Sequence, residues 1–520
     1  MTVAGLQFKI QNSKFKMNGM LQILRQRLPL TIICFGILVR LVQYLSNRSL
    51  WNDEAALALN IVNRSYLELL QPLDYDQGAP IGFLWVEKLA VQLFGDNEYA
   101  LRLFPLLSAI ISLFVFYKLA KRCLQPQAVT IALALFSSLH IWVYYASEVK
   151  QYSSDVLIAV VSCLLFMQMY SQNMTATRIV TFGIAGATAI WFSHSAIFVL
   201  AGVGISCLFL SLMKGVKSRI LKLLGVFSIW GLSFACFYLI SLQDLANQED
   251  LYKSWASRGT FPSSFLDINW LFTTFIEFFH KPLGFPDVFL GVAIFAFLVG
   301  CVSLFYKSKE VLLILLSPVV VTFFAAYLQK YPFDGRMVLF LTPFFTLIVG
   351  EGVAAIRRKT LSTSLDSVGI LVLILLLVPP LGTAGYFIAK PYLKQEMRPV
   401  VAYVKEHQQP GDVIYIYQRA EYQFKYYANK FGYQEGDYIL GIDDLDKKDG
   451  QGISEEEWQR YTSDLDKLRG NKRVWIVFSH VRSWARESER ITTYLDGFGK
   501  QIDFFKREGS FVYLYDLSQL

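Results

Sequence analysis

Long apolar runs alternate with short polar segments along most of the chain. An apolar run of about 20 residues is long enough to cross a bilayer core as a helix. The pattern predicts about eleven spans, near residues 28–46, 100–119, 127–145, 153–171, 178–193, 195–213, 220–240, 287–306, 310–328, 336–355 and 367–389. From Lys390 onwards the composition shifts towards charge. The sequence therefore predicts an all-α polytopic membrane protein with a small C-terminal soluble domain.

Basic residues set the predicted orientation. Clusters of Lys and Arg occupy every second polar segment, at 1–27, 118–122, 178, 214–219, 307–309 and 357–359. By the positive-inside rule these segments are cytoplasmic. Arg40 interrupts the first apolar run and no small-residue cleavage site follows, so we expect a retained helix rather than a signal peptide. The alternate segments and the tail are then extracytoplasmic, and the compact chain favours a bacterial inner or plasma membrane.

Three predicted regions follow from this organisation: a cytoplasmic segment 1–27, a membrane domain 28–389 and a soluble domain 390–520. Within the membrane domain, the outer loop 47–99 is expected to form short amphipathic helices along the interface, and the aromatic-rich loop 241–286 to lie near lipid headgroups. The tail alternates strand and helix patterns and predicts an α/β domain. Its predicted strands are 411–417, 472–479, 502–506 and 511–516, and its helices are 419–430, one from Ser454, and 483–497.

Composition excludes several classes of protein. Hydrophobic residues make up 54% of the chain and charged residues 17%, which excludes an ordinary soluble protein. The net charge of +8 is divided among clusters between spans, without a basic-aromatic stripe, so no nucleic-acid partner is expected. All six cysteines lie in or beside apolar runs, so no disulfide framework is predicted. The tail shows no nucleotide-binding glycine pattern, nucleophile elbow or metal spacing, which leaves it a structural or acceptor-contacting role.

Acids and cations are concentrated at the outer ends of the spans. Two carboxylates, Asp53 and Glu54, directly follow the first span, and a helix beginning near Ser147 would place Glu148 and Tyr152 on one face. The other candidates on this side are Arg102, Lys150, His194 and Arg336. Transfer of a sugar from a lipid phosphate needs a carboxylate to take the acceptor proton and cations to stabilise the phosphate leaving group. This set of residues suits that reaction.

Each candidate also has a structural interpretation. Glu54 suits a supporting role better than that of a second base. Glu148 could instead pair with Lys150 or Arg102. The remaining alternatives are a snorkelling arginine for Arg336, a hydrogen-bonded structural histidine for His194, and a structural ion pair for Arg40.

Four motifs stand in order over residues 30–355: Trp51-Asn-Asp53-Glu54-Ala, Gly78-Ala-Pro80-Ile-Gly-Phe with Leu93-Phe-Gly95 to Arg102, Tyr145-Ala-Ser-Glu148-Val-Lys150-Gln-Tyr152, and Tyr331-Pro-Phe-Asp-Gly-Arg336. They resemble the motifs of the GT-C integral-membrane glycosyltransferases. The resemblance is to the branch that contains protein O-mannosyltransferases and the lipid A aminoarabinose transferase, a glycosyltransferase family 39-like group. Two departures are Lys150, where many relatives have Arg, and Ala79-Pro80, which replaces a commoner His/Pro pair.

The resemblance implies a GT-C fold and an inverting hexosyl- or pentosyltransferase that uses a polyprenyl-phosphate sugar on the extracytoplasmic face. Asp53 would be the general base, with Glu54 and Glu148 beside it. The implied substrate-binding residues are Arg102, Lys150, Tyr152, His194 and Arg336. The acceptor is left open among glycan, lipid and protein. Some members of the family use a divalent metal and others do not; scattered ligands without His-x-x-His spacing predict no metal and no other cofactor here.

The sequence is also compatible with two other functions. A flippase or transporter of a lipid or glycan should carry charges at the bilayer midplane on broken helices, whereas here they lie at the outer mouths. A non-catalytic membrane protein that binds glycans through its tail would use tail aromatics such as Tyr415 and Trp475, which fit a protein core equally well.

Overall fold

The computed structural model describes residues 27–171, 175–246, 249–360, 366–442, 453–481 and 486–518. Apart from Arg27, the predicted cytoplasmic segment 1–27 lies outside the described residues, as does the start of the predicted helix 483–497. The helices, in chain order, are α1 (Arg27–Leu45), α2 (Asn52–Asn63), α3 (Ile81–Phe94), α4 (Glu98–Cys123), α5 (Pro126–Ser138), α6 (His140–Tyr145), α7 (Tyr152–Ser171), α8 (Ala176–Phe192), α9 (Ala196–Met213), α10 (Lys217–Phe237), α11 (Gln243–Ala246), α12 (Glu249–Ala256), α13 (Ile268–His280), α14 (Leu290–Lys307), α15 (Lys309–Tyr327), α16 (Thr342–Thr360), α17 (Asp366–Ala389), α18 (Met397–His407), α19 (Glu421–Ala428), α20 (Glu455–Leu465) and α21 (Glu487–Asp496).

The predicted spans coincide with helices. Among the described residues, nine helices are long and apolar enough to cross a membrane: α1, α4, α7, α9, α10, α14, α15, α16 and α17. The shorter apolar helices α5 and α8 account for the other two predictions. The predicted span 127–145 is broken at Leu139 and continues as α6. The chain is a multi-pass membrane protein, as its pattern predicts.

Helix α16 lies at the centre of the membrane domain and is the most buried of the nine. Glycines bring α14 and α16 together: a Cβ on Gly352 would meet the carbonyl of Ala296, and one on Gly300 would meet that of Ile348. Helices in lipid associate through this kind of close backbone approach, because apolar side chains gain little by leaving lipid for protein. A short 3₁₀ helix, Gly335–Leu341, precedes α16 and carries Arg336 at its start. The packing of α16 therefore fixes the position of Arg336.

The C-terminal domain is α/β, as predicted. Its strands are β1 (Val413–Ile416), β2 (Ile439–Leu440), β3 (Val474–Ser479), β4 (Lys500–Arg507) and β5 (Ser510–Asp516). They form one mixed sheet in the order β2-β1-β3-β5-β4, in which β1 runs parallel to β2 and β3, and β5 runs antiparallel to β3 and β4. The two-residue strand β2 and helix α18 are not among the predicted elements.

The C-terminal domain and the first outer loop share one hydrophobic core. Leu57 on α2 and Phe83 on α3 belong to the same buried cluster as Phe424 and Tyr427 on α19. The Gln423 side chain donates to the carbonyl of Leu50 at 2.9 Å. Two short helices in the outer loop confirm that part of the prediction, but α2 is buried from Glu54 to Ile61, so an amphipathic helix on the interface is wrong for α2.

The loop 241–286 carries exposed apolar side chains. Around the start of α13, Phe265, Leu266, Ile268 and Phe272 are exposed, whereas Trp270 on the same helix is buried. A helix that is apolar on its free side suits a position at the lipid headgroups. The interfacial placement of this loop stays a prediction.

Candidate active site

Four separate parts of the chain meet at one end of the helical bundle. The first turn of α2 supplies Asp53 and Glu54, and the turn between α6 and α7 supplies Glu148 and Lys150. The 3₁₀ helix before α16 supplies Arg336. The fourth part is residues 394–396 between α17 and α18, which we call the strap.

Asp53 is held between two cations. Its Oδ2 lies 2.5 Å from Nη2 of Arg336, and its Oδ1 lies 3.7 Å from Nζ of Lys150. The side chains of Asp53 and Arg336 are each about one-fifth exposed, at 21% and 23%, so both can reach a ligand. Burial alone would raise the pKa of Asp53, but Lys150, Arg336 and Lys394 outweigh it and hold this pKa below its ordinary value. Asp53 is therefore ionised at neutral pH.

Glu54 and Arg102 form a buried two-pronged ion pair. Nη2 of Arg102 lies 2.6 Å from Oε2 of Glu54, and its Nε donates to Oε1 at 3.0 Å. Arg102 also donates to the carbonyls of Arg48 and Ser49, and Glu54 accepts from the backbone N–H of Val149 at 2.9 Å. Both side chains are 1% exposed or less. Because their hydrogen-bonding groups are used within the protein, this arrangement favours support for the site over contact with substrate.

Glu148 lies in a turn, not on a helix. Helix α7 begins at Tyr152, so the prediction that Glu148 and Tyr152 share a helix face is wrong. The backbone N–H of Lys150 bonds back to the carbonyl of Glu148 at 2.7 Å and closes the turn. Oε1 of Glu148 accepts from the indole N–H of Trp51 at 3.0 Å, and its Oε2 has no hydrogen-bond partner among the described residues. Burial and the nearby Glu54 raise the pKa of Glu148, opposite to the shift of Asp53.

Lys150 and Tyr152 border Asp53 and Arg336. Nζ of Lys150 donates to Oε1 of Gln77 at 2.5 Å as well as facing Asp53. The guanidinium of Arg336 lies 5.7 Å from the ring centre of Tyr152 and 5.4 Å from that of Trp51. In the described part of the chain Lys150 pairs with Asp53, not with Glu148.

Arg40 and His194 contact other parts of the bundle than this cluster. Arg40 is buried and donates to the carbonyls of Gly36, Phe136 and Ser137. Its role is therefore structural, but the predicted ion pair is wrong, since the described contacts of Arg40 are to backbone oxygens. His194, between α8 and α9, packs against the ring of Phe237 at 5.6 Å.

The strap is part of the site that sequence reasoning missed. Nζ of Lys394 lies 3.0 Å from the ring centre of Trp51. Gln395 accepts from the backbone N–H of Asn52 at 3.0 Å and bonds to Nδ1 of His480 at 2.8 Å. No motif marks these residues in the sequence, because they become neighbours of Asp53 only when the C-terminal domain packs on α2.

Metal ligands are not grouped in the described residues. No set of three or more His, Cys, Asp or Glu side chains there is placed to hold a metal ion. Asp53 faces cations instead, and its Oδ2 contacts Arg336. The absence of a metal or other cofactor from the reaction stays a prediction.

Similarity to known proteins agrees with the predicted fold. Residues 78–238 match the family of dolichyl-phosphate-mannose-protein mannosyltransferases. ArnT from Cupriavidus metallidurans, in the apo state, aligns with a TM-score of 0.54 at 13% identity over 94% of this chain and 98% of its own. The apo oligosaccharyltransferase of Archaeoglobus fulgidus aligns with a TM-score of 0.54 at 11% identity over 93% and 74%.

A further structure of the archaeal enzyme is also similar. AglB from Archaeoglobus fulgidus, in complex with an inhibitory peptide and a dolichol-phosphate, aligns with a TM-score of 0.53 at 11% identity over 94% of this chain and 74% of its own. No curated protein sequence matches the chain. The family match and the shared architecture confirm the predicted GT-C fold.

Proposed function

We propose that this chain is a membrane glycosyltransferase that moves a sugar from a polyprenyl-phosphate donor to an acceptor hydroxyl, with inversion and with Asp53 as general base. One observation carries the proposal: an ionised, partly exposed carboxylate lies between Arg336 and Lys150 at the mouth of a helical membrane bundle. A carboxylate can take the acceptor proton, and an Arg fork with a Lys suits a phosphate leaving group. The acids and cations lie on the side that the basic loops predict to be extracytoplasmic.

Asp53 and Glu148 have different roles in this proposal. Asp53 stays ionised and is the base, while Glu148, whose pKa is raised, anchors Trp51 through its indole N–H. A carboxylate paired with two cations is a weak base. A donor phosphate would draw Arg336 and Lys150 towards itself, raising the pKa of Asp53 as the donor binds. Donor binding would therefore precede proton abstraction.

Similar proteins support the donor class. The matched family is named for a sugar donor linked to dolichyl phosphate, and the similar AglB structure contains a dolichol-phosphate. A lipid-linked donor explains why the reactive groups lie at the end of membrane helices. The sugar is a hexose or a pentose in this proposal, and the acceptor is a glycan, a lipid or a protein.

Phosphate binding by Arg336 provides the test. Wild-type protein in nanodiscs should bind polyprenyl phosphate in preference to the matching alcohol, and Arg336→Ala should weaken binding about 10- to 100-fold, the typical cost of a charged hydrogen bond. Arg469→Ala, which removes an exposed arginine paired with Asp466, is the control and should bind as wild type. A folded wild type that prefers neither lipid would contradict the proposal. Wild type in sealed proteoliposomes that moves a labelled polyprenyl-phosphate sugar across the bilayer without cleaving it would favour a flippase.

A further inference from the structure

Each of the three strap side chains contacts the segment that leads into Asp53. Lys394 lies over the ring of Trp51, and Gln395 accepts from the backbone N–H of Asn52. Glu396 accepts from the backbone N–H of Ser49 at 3.1 Å and from its hydroxyl at 3.1 Å. Three consecutive contacts of this kind fix the strap in register against residues 49–52.

The C-terminal domain holds the strap from the other side. The backbone N–H of Glu396 donates to the carbonyl of Glu508, in the turn between β4 and β5, at 2.7 Å. The next residue, Gly509, has a φ of +64°, and a Cβ on it would clash with the carbonyl oxygen of Lys394. Only glycine fits both the backbone conformation and the space. The β4–β5 turn therefore sets the position of Lys394.

Lys394 keeps its hydrogen-bond donors free. Its Nζ faces an aromatic ring, and among the described residues it forms neither an ion pair nor a hydrogen bond, so the N–H donors that point away from the ring remain for a ligand. Burial lowers the pKa of the Lys394 ammonium group. The nearby Glu148 and Asp53 act in the opposite direction, and Arg336 lowers this pKa further. A partly buried ammonium beside Asp53 and Arg336, with no hydrogen-bond or ion-pair partner in the described part of the chain, is well placed to bind an anion.

Charge balance indicates which anion fits. Lys150, Arg336 and Lys394 surround Asp53, and the charge of Glu54 is already matched by Arg102. Glu148 is the second carboxyl group near these cations, and its pKa is raised, so the three cations still outnumber the negative charges beside them. A sugar phosphodiester carries one negative charge, whereas the polyprenyl phosphate released from it carries nearly two, because the second pKa of a phosphate monoester is about 6. The cluster suits the released phosphate better than the intact donor.

We propose that Lys394 is a third phosphate-binding cation, which the C-terminal domain supplies through the strap and which binds the phosphate of the leaving polyprenyl phosphate. This inference rests on the function proposed above. It makes the soluble domain a structural part of the active site rather than an appended module. Gly509 acts as a positioning residue, since it touches the strap and not the substrate.

Binding measurements with two lipids test the charge argument. Lys394→Gln should weaken binding of polyprenyl phosphate about 10- to 100-fold and binding of its singly charged methyl ester less, while Lys394→Arg should recover most of the loss. Lys390→Gln, which changes an exposed lysine of the same connecting segment, is the control and should bind as wild type. Equal binding by Lys394→Gln and wild type overturns the inference alone. A wild type that binds no polyprenyl phosphate overturns the proposed function and this inference together.

Gly509→Ala tests the route through the C-terminal domain. It should weaken polyprenyl phosphate binding in the same direction as Lys394→Gln, and the double variant should show no further loss, because both changes act on one contact. Gly470→Ala is the matched control: this glycine also has a positive φ, +88°, but a Cβ there would meet no atom of the described residues within 4 Å apart from its chain neighbours. A drop in binding in both glycine variants, or an additive loss in the double variant, contradicts a role specific to the strap.

Discussion

Replacing Glu54 with Gln should destabilise the protein strongly, because Glu54 neutralises an arginine that cannot reach water. Arg102 is 1% exposed, and two of its nitrogen atoms face the Glu54 carboxylate at 2.6 and 3.0 Å. A second arginine is also near this carboxylate: Nη2 of Arg48 lies 4.0 Å from Oε1 of Glu54. Removing one partner of a buried ion pair leaves an uncompensated charge and typically costs about 3–5 kcal/mol. We expect this range for Glu54→Gln.

An exposed ion pair provides the comparison. Lys214 and Glu310 lie 2.6 Å apart but are 50% and 42% exposed, so Glu310→Gln should cost no more than about 1 kcal/mol. Chemical denaturation in one detergent, followed by tryptophan fluorescence, would measure both variants against wild type. The free energy of unfolding should fall by about 3–5 kcal/mol in the Glu54 variant and by no more than about 1 kcal/mol in the Glu310 variant.

The same pair of variants separates two roles of Glu54. If Glu54→Gln unfolds like wild type but has lost sugar transfer, Glu54 is a catalytic group and the supporting role is wrong. If its stability falls by several kcal/mol and the fraction that remains folded still binds polyprenyl phosphate, the supporting role stands.

Three further predictions concern packing, pH and metals. Gly352→Ala should destabilise the protein by about 1–3 kcal/mol in the same assay, since its Cβ would enter the α14 backbone. Gly382→Ala should be close to neutral, since its Cβ would meet no described atom within 4 Å apart from the backbone of its own helix. Burial lowers the pKa of Lys394 to about 8, so it loses its charge as pH rises through this value; polyprenyl phosphate binding should weaken over the same range, and Lys394→Arg should move the loss to higher pH. The charged groups that face Lys394 are Glu148, Arg336, Asp53, Glu54 and, when protonated, His480. Sugar transfer should persist after exhaustive chelation of divalent ions, and a loss reversed by added metal would contradict this.

The membrane architecture could be predicted because the bilayer imposes strict rules on sequence. A span must be apolar for about 20 residues, and basic residues mark one side, so both signals can be seen in single segments. These rules also placed Asp53, Glu148, Lys150 and Arg336 on one side, and the structure brings them together.

The partners within the site could not be predicted in the same way. Several acids and cations at one end of a bundle can pair in many combinations, and packing between distant segments decides that Arg102 meets Glu54 while Arg336 meets Asp53. The predicted span 153–171 agrees with α7, but a helix that begins near Ser147 is wrong, because residues 147–151 form a turn with no Gly or Pro to mark it in the sequence.

The strap was missed for a related reason. Lys394 occupies an ordinary polar linker, and its proximity to Trp51 depends on how the C-terminal domain docks on α2. Sequence patterns describe single elements and carry little information on domain docking. The strap contacts became visible only with the three-dimensional arrangement.

Single-turnover release of polyprenyl phosphate from a labelled polyprenyl-phosphate sugar tests the central claim most directly. With protein in nanodiscs and water or a simple alcohol as acceptor, wild type should release the lipid phosphate, and Asp53→Asn should slow release about 10²- to 10⁴-fold while still binding the donor. Asp74→Asn, which changes an exposed acid of the same outer loop, should behave as wild type. Unchanged release by Asp53→Asn would contradict its role as the base.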